Sequence, residues 1–286
     1  MSTPSLKTRR HFATGREAGR SVPGLSVPFL LAAILILLTA AAELRAQSSR
    51  MADPSAGVTR AIEKSDQLFI RERYDEARRV LEQLHAENPG DAEILWRLAQ
   101  HAINDGDGTS DSKEQERYFR EAVRYAGAAV RADGRNANAW AYLAASHGSY
   151  AMYAGGKEKV KLANKIRDEL DRALKLDPQN QVAHTIFGTW HREVAEVGWI
   201  ERQLANMFLG SMPDGSINAS IRHLKAAIRQ GPDVLRHHFE LGLTYIAADR
   251  EAEAAAAFRT AQKCANGWKS DNLRRTIMKK WLRENG

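Results

Sequence analysis

With 286 residues, 43% of them hydrophobic and 27% charged, the chain has the composition of an ordinary soluble protein of one large or two modest domains. Its single cysteine, Cys264, excludes an intramolecular disulfide. The net charge of +7 signals no nucleic-acid surface, because residues 1–46 hold six basic against two acidic residues and leave the remainder nearly balanced at 36 against 33.

Residues 1–26 are polar and basic, and an apolar run follows from Val27 to Ala42. At about 16 residues the run is short of the roughly 20 that cross a bilayer core. A basic stretch, an apolar stretch and small residues near a cleavage point after Ala42 or Ala46 predict a signal peptide or an N-terminal membrane anchor over 1–46. The folded part is then expected to be exported, as a periplasmic protein or a membrane-anchored one facing away from the cytoplasm. Residues 47–57 read as a polar linker broken by Pro54 and Gly57. Helical periodicity begins at Val58, so a single helical-repeat domain is expected over 58–286.

From there the chain repeats a helix–turn–helix grammar. Helices stop at Asn88-Pro89, Gly134, Asp177-Pro178 and Gly231-Pro232, since proline cannot extend the helical ladder and disfavours helix in the residue before it. A position suited to a small residue recurs in each second helix at Ala77, Ala122, Ile166, Ser220 and Ala254. The spacings are 45, 44, 54 and 34 residues, against about 34 for a plain tetratricopeptide repeat (TPR). The pattern predicts an all-α fold: a right-handed TPR-like α-solenoid of about four to five expanded helix pairs, closed by a C-terminal capping helix from Asp271. Gly106–Ser112 and Tyr150–Lys159 are expected as loops or helix extensions. Trp199–Gly210 is a third insertion with its own apolar stripe of Ile200, Leu204 and Phe208. That helix is a candidate lid (Trp199, Ile200, Leu204, Phe208), with packing on the solenoid or contact with a membrane as its alternatives.

The run from Asn136 to Pro232 resembles the regulator of microtubule dynamics family. The resemblance rests on Asn138-Ala139-Trp140 opening a helix, Leu174-Lys175-Leu176-Asp177-Pro178 closing one, and Phe187-Gly188-Thr189-Trp190. Its most specific part is Trp199-Ile200-Glu201-Arg202 running into Met207-Phe208-Leu209-Gly210-Ser211-Met212-Pro213. It extends over roughly residues 60–265. It implies a TPR-like domain, a helical insertion, and a groove that binds a partner segment or, as suggested for the family's mitochondrial tether member, a phospholipid.

No HExxH, GxSxG or P-loop motif occurs, so no enzyme activity, metal or cofactor is expected. His184 and His191, and the adjacent His237 and His238, lack partners at metal-ligand spacing. Glu193 and Glu196 share a helix face and read as solvated or ion-paired surface, with Arg192 and Arg202 near at hand, rather than as acid–base partners. In this repeat type the first helix of each pair lines the concave face. Counting from the helix anchors places Trp96, Gln100, Asn138, Ala141, Thr185, Thr189, Arg192, Arg236, Phe239 and Leu243 there. The carboxylate-binding basic clamp of some chaperone-binding repeats is absent, since Trp96, Gln100, Tyr142, Val182 and Ile186 stand at its places. The expected function is a non-enzymatic scaffold holding a protein or peptide segment in this groove, with phospholipid binding as the alternative. Arg192→Glu is expected to abolish binding while leaving the fold intact.

Overall fold

The computed structural model describes residues 54–285, so the leader expected over 1–46 lies outside the described residues. Among those described are twelve α-helices, a short 3₁₀ turn and no strand. Five helix pairs follow one another: α1 (Pro54–Ile70) with α2 (Tyr74–Glu87), α3 (Ala92–Gly108) with α4 (Ser112–Ala132), and α5 (Ala137–Tyr150) with α6 (Gly156–Leu176). Next come α7 (Gln181–Ala195) with α9 (Ile217–Gln230), and α10 (Leu235–Ile246) with α11 (Glu251–Ala261). Helix α8 (Trp199–Phe208) lies in the connection within the fourth pair, and α12 (Asp271–Asn285) closes the array. Helices α3, α5, α7 and α10 also touch one another in order, forming one continuous inner layer.

The same turn builds three of the junctions. In Asn88–Asp91, Asp133–Asn136 and Asp177–Asn180 the fourth residue's N–H donates to the first residue's carbonyl at 3.1–3.2 Å. That fourth residue then caps the next helix. Asp91 accepts from Glu93 and Ile94 N–H, Asn136 from Ala139 N–H, and Asn180 from Ala183 N–H.

Glycine in three first helices lets the second helix press close. A Cβ on Gly106 would fall 2.4 Å from the Phe119 ring, one on Gly188 2.5 Å from Leu224, and one on Gly242 2.3 Å from the Phe258 ring. In the second helices Ala77, Ala122, Ser220 and Ala254 are fully buried, and Ile166 nearly so. Of the two outcomes expected at Gly106, loop or helix extension, the structure has the extension. The residue sits inside the last turns of α3 because burial against Phe119 outweighs its weak helix propensity. The stretch 150–159 becomes the 3₁₀ turn Ala151–Tyr153 and the first turn of α6. Pro54, expected in the linker, is the first residue of α1, where its missing N–H costs no hydrogen bond.

The end of the repeat domain returns to its first repeats. The loop 262–270 between α11 and α12 is pinned to α12. Asp271 accepts the Gly267 and Trp268 N–H groups, and Arg275 donates to Asn266 Oδ1 and to the Gln262 and Cys264 carbonyls. The same loop reaches α3. The Lys269 N–H donates to Asn104 Oδ1 at 2.9 Å, Lys269 Nζ to Asp105 at 2.6 Å, and Ser270 Oγ to Asp107 at 3.4 Å. Trp268 meets the Phe69 ring of α1 edge-on at 5.7 Å. The inner face is thus bridged by its own chain.

Candidate ligand-binding groove

Positions three and four apart on the inner helices share a face, and the structure brings them to one groove. Three adjoining cavities run along it. The first, about 570 Å³, is lined by Trp96 and Gln100 of α3, Asn138 and Tyr142 of α5, and Val182 of α7. The second, about 440 Å³, shares Gln100, Tyr142 and Val182, adds Ile103, Ile186 and Arg236, and is bounded by Trp268. The third, about 330 Å³, shares Ser149, Ile186 and Arg236 and adds Thr189 and Glu240.

The groove therefore collects Trp96, Gln100, Asn138, Thr185, Thr189 and Arg236 from the residues the sequence nominates, but not all of them are free. Trp96 is built into the wall: its ring stacks on Tyr142 at 5.1 Å, the Arg97 guanidinium lies 4.0 Å from its centroid, and its indole N–H donates to Glu93. Asn138 Oδ1 accepts from the Asn180 amide at 2.8 Å, and Thr189 Oγ1 donates to the Thr185 carbonyl. The Gln100 amide and the Arg236 guanidinium make no hydrogen bond among the described residues, and both line the middle cavity.

Four other nominated residues lie elsewhere. Phe239 is buried against Phe258, with the Arg274 guanidinium 5.9 Å from its ring, and Leu243 packs beside that cluster. The inner position on α10 belongs instead to Glu240, one residue and about 100° further round the helix. Ala141 is fully buried between helices. Arg192 lies outside the cavity linings and spends its donors on Glu240 at 2.9 Å and Glu196 at 3.3 Å, with Glu193 at 3.7 Å.

In helix α8 none of the described side chains, Glu201 to Phe208, lines the three cavities. It is held by Arg202, which donates to the Val194 and Pro213 carbonyls, and by Asn206, which accepts the Met212 N–H. Leu204, Met207 and Phe208 face solvent at 51%, 72% and 71% exposure. The side chains of Trp199 and Ile200 lie outside the described residues. Among the described residues no helix is long and apolar enough to cross a membrane.

A histidine cluster escapes a reading of the sequence because its third member comes from another helix. His184 Nε2 lies 3.0 Å from the Pro178 carbonyl, which requires the proton there and leaves Nδ1 as acceptor. His223 of α9 then donates from Nδ1 at 2.9 Å. Its ring stacks with His191, and both face Phe187. Burial, with the neighbouring histidines adding to it, pushes His223 down to about 4. No group of three His, Cys, Asp or Glu suited to hold a metal ion occurs among the described residues. A second buried pair, His147 Nδ1 and Glu169 Oε2 at 2.9 Å, ties α5 to α6.

The family model for regulator of microtubule dynamics protein 1-3 matches residues 61–286. The chain belongs to this family. It is 26% identical over 201 residues to regulator of microtubule dynamics protein 1 of Bos taurus, covering 69% of this chain and 62% of that protein. With the Caenorhabditis elegans protein 1 it shares 23% identity over 192 residues, covering 66% of this chain and 84% of that one. The chain thus spans less than two thirds of the bovine relative's length. Among solved structures it is similar to a thermophilic TPR protein from Thermus thermophilus, with a TM-score of 0.55 and 20% identity over 79% of this chain and 99% of that chain. That likeness fixes the architecture as a TPR-like all-α solenoid.

Proposed function

We propose that the chain is a non-enzymatic scaffold that holds an extended segment of a protein partner in its concave groove. The observation that carries this reading is the continuity of the three cavities across four inner helices, each lined by both polar and apolar side chains. An extended peptide presents main-chain polar groups and side-chain pockets at a matching short repeat. The test is a display selection of random peptides on the purified protein, counter-selected with Ser149→Trp, which fills the groove where the second and third cavities meet. Peptides that bind the parent protein and not the variant support the reading. Peptides that bind both equally place recognition outside the groove.

A phospholipid is the second reading, favoured by the apolar side chains of Ile103, Ile186 and Leu235 in the middle cavity. Native mass spectrometry with lipid extraction separates the two, because a co-purifying lipid shifts the mass and bare protein does not. The apolar run Val27–Ala42 behind a basic stretch supports export of the scaffold. Cell fractionation with N-terminal sequencing tests that part.

A further inference from the structure

Four largely enclosed arginines among the described residues hold carboxylates. Arg78 binds Glu82, Asp105 and Glu121, Arg97 binds Asp66 and Glu93, Arg192 binds Glu196 and Glu240, and Arg274 binds Asp271. Arg275 holds no carboxylate but donates to Asn266 and two backbone carbonyls, whereas Arg236 has neither kind of partner. It projects from the first turn of α10 into the middle and third cavities, donates no hydrogen bond among the described residues, and has no carboxylate within 4.0 Å. Its Nε is enclosed without an acceptor. What it does meet is the Trp268 ring, 5.7 Å from the guanidinium carbon.

Three of the surrounding carboxylates are already engaged, and the exposed Asp233 lies more than 4.0 Å from Arg236. Asp107 takes Ser270 and Arg274, Asp271 takes two backbone N–H groups and Arg274, and Glu240 takes Arg192. A guanidinium with an unmet buried donor is a costly arrangement, and an incoming carboxylate relieves it with two parallel N–H···O bonds. Gln100 of α3 supplies a second free donor to the same cavity.

We infer that Arg236 and Gln100 form a recognition site for a carboxylate carried beside an apolar residue of the partner peptide, with that apolar residue seated against Ile103, Ile186 and Leu235 near Trp268. This rests on the peptide reading above and names the chemistry the partner must bring. The charge of the lining favours a monoanion. Asp233 and Asp271 line the cavity with Arg236, and Asp271 is already paired with Arg274, so a phosphate dianion meets one unpaired carboxylate and one unpaired guanidinium. A cavity of about 440 Å³ lies within the roughly 300–1,000 Å³ of small-ligand pockets. It opens into the cavities on either side, which lets the remainder of a chain pass.

The test uses small probes and the indole N–H resonances of the ¹⁵N-labelled protein, with the Trp268 signal assigned by its loss in Trp268→Phe. The probes are N-acetyl-leucine, its amide, and a blocked leucyl-aspartate dipeptide whose carboxylate is the side chain. The carboxylates are expected to shift the Trp268 signal saturably and the amide to leave it in place. Comparing the two acids tells a chain terminus from a side chain as the source. Arg236→Gln should weaken the acids at least tenfold, and Arg236→Lys, which keeps the charge and loses the fork, less. Because Arg236 holds no protein carboxylate, Arg236→Gln should retain the parent thermal midpoint, which separates lost binding from lost fold. Equal shifts by acid and amide, or equal acid binding by Arg236→Gln, would overturn the inference. A short-chain phosphatidate that displaces N-acetyl-leucine at lower concentration than the acidic dipeptide would assign the site to lipid and overturn it as well. If the small acids bind and no selected peptide does, the scaffold reading fails while the carboxylate site stands.

Discussion

The backbone N–H of Lys269 donates to the side-chain oxygen of Asn104, and the two residues are 165 positions apart. Asn104 is fully buried, so this bond sits where water does not compete for it. Around it, Lys269 Nζ binds Asp105, and a Cβ on Gly108 would fall 2.7 Å from the Lys269 side chain. Closure of the groove by loop 262–270 depends on this shelf at the end of α3.

Asn104→Ala removes the acceptor and leaves the Lys269 N–H without a partner. The expected cost is about 1–3 kcal/mol in denaturant unfolding. Hydrogen exchange should quicken at Trp268–Ser270 well before it does in α11. Unchanged exchange in that loop would show that Asp271 and Arg275 hold it without α3.

Gly242→Ala should be more damaging than an exposed Gly→Ala change, which ordinarily stabilises a helix. The added carbon would sit 2.3 Å from the Phe258 ring, itself fully buried. Overpacking of this kind costs about 1–3 kcal/mol, and Phe258→Leu in the same chain should recover part of it. Thermal melts of the two single variants and the double variant measure the coupling.

Acid should destabilise the fold through its buried histidines. Burial is the main cause that brings His101 down to about 4 and His237 to about 3, from an ordinary 6.5. The unfolded chain therefore binds more protons between the ordinary value and these folded ones. The stabilisation is complete above the unfolded value and is lost as pH falls through that window. At pH 5 the loss is roughly 2 kcal/mol for each ring. His101→Leu should flatten the decline of the thermal midpoint between pH 7 and pH 5.

Arg192→Glu should cost stability, where the sequence leads one to expect an intact fold with binding lost. The new carboxylate would face Glu240 and Glu196, with Glu193 beside them. Glu240 is buried at 7% exposure and would lose its only ion-pair partner among the described residues. Removing one partner of a buried pair typically costs about 3–5 kcal/mol. A parent-like unfolding midpoint would show that Glu240 is relieved by solvent instead.

Much of the architecture is legible in the sequence because its signals are local. Asn88-Pro89 and Asp177-Pro178 mark turns within four residues, and the small positions at Ala77, Ala122, Ser220 and Ala254 follow the helical period into the core. The groove is legible only in part. Assigning Phe239 rather than Glu240 to the inner face is a single-residue error, yet it rotates the face by about 100°. An apolar Phe beside a Glu gives no sign of which one faces a wet groove. The loop 262–270, the His223 partner of His184 and the exposed face of α8 depend on contacts between distant segments, and no local pattern encodes them. Leu204 and Phe208 have the spacing of a buried stripe and stand in solvent.

The most direct test of the groove as the partner site is photo-crosslinking in the native host, with p-benzoylphenylalanine placed in the full chain. One position is Gln179, exposed at the rim of the first cavity, and the other is Lys225, exposed on the outer helix α9. The account predicts a discrete protein adduct from Gln179 that maps to one extended segment, lost when Ser149→Trp is added, and no such adduct from Lys225. A protein adduct from Lys225 with none from Gln179, or lipid alone captured at Gln179, would contradict it.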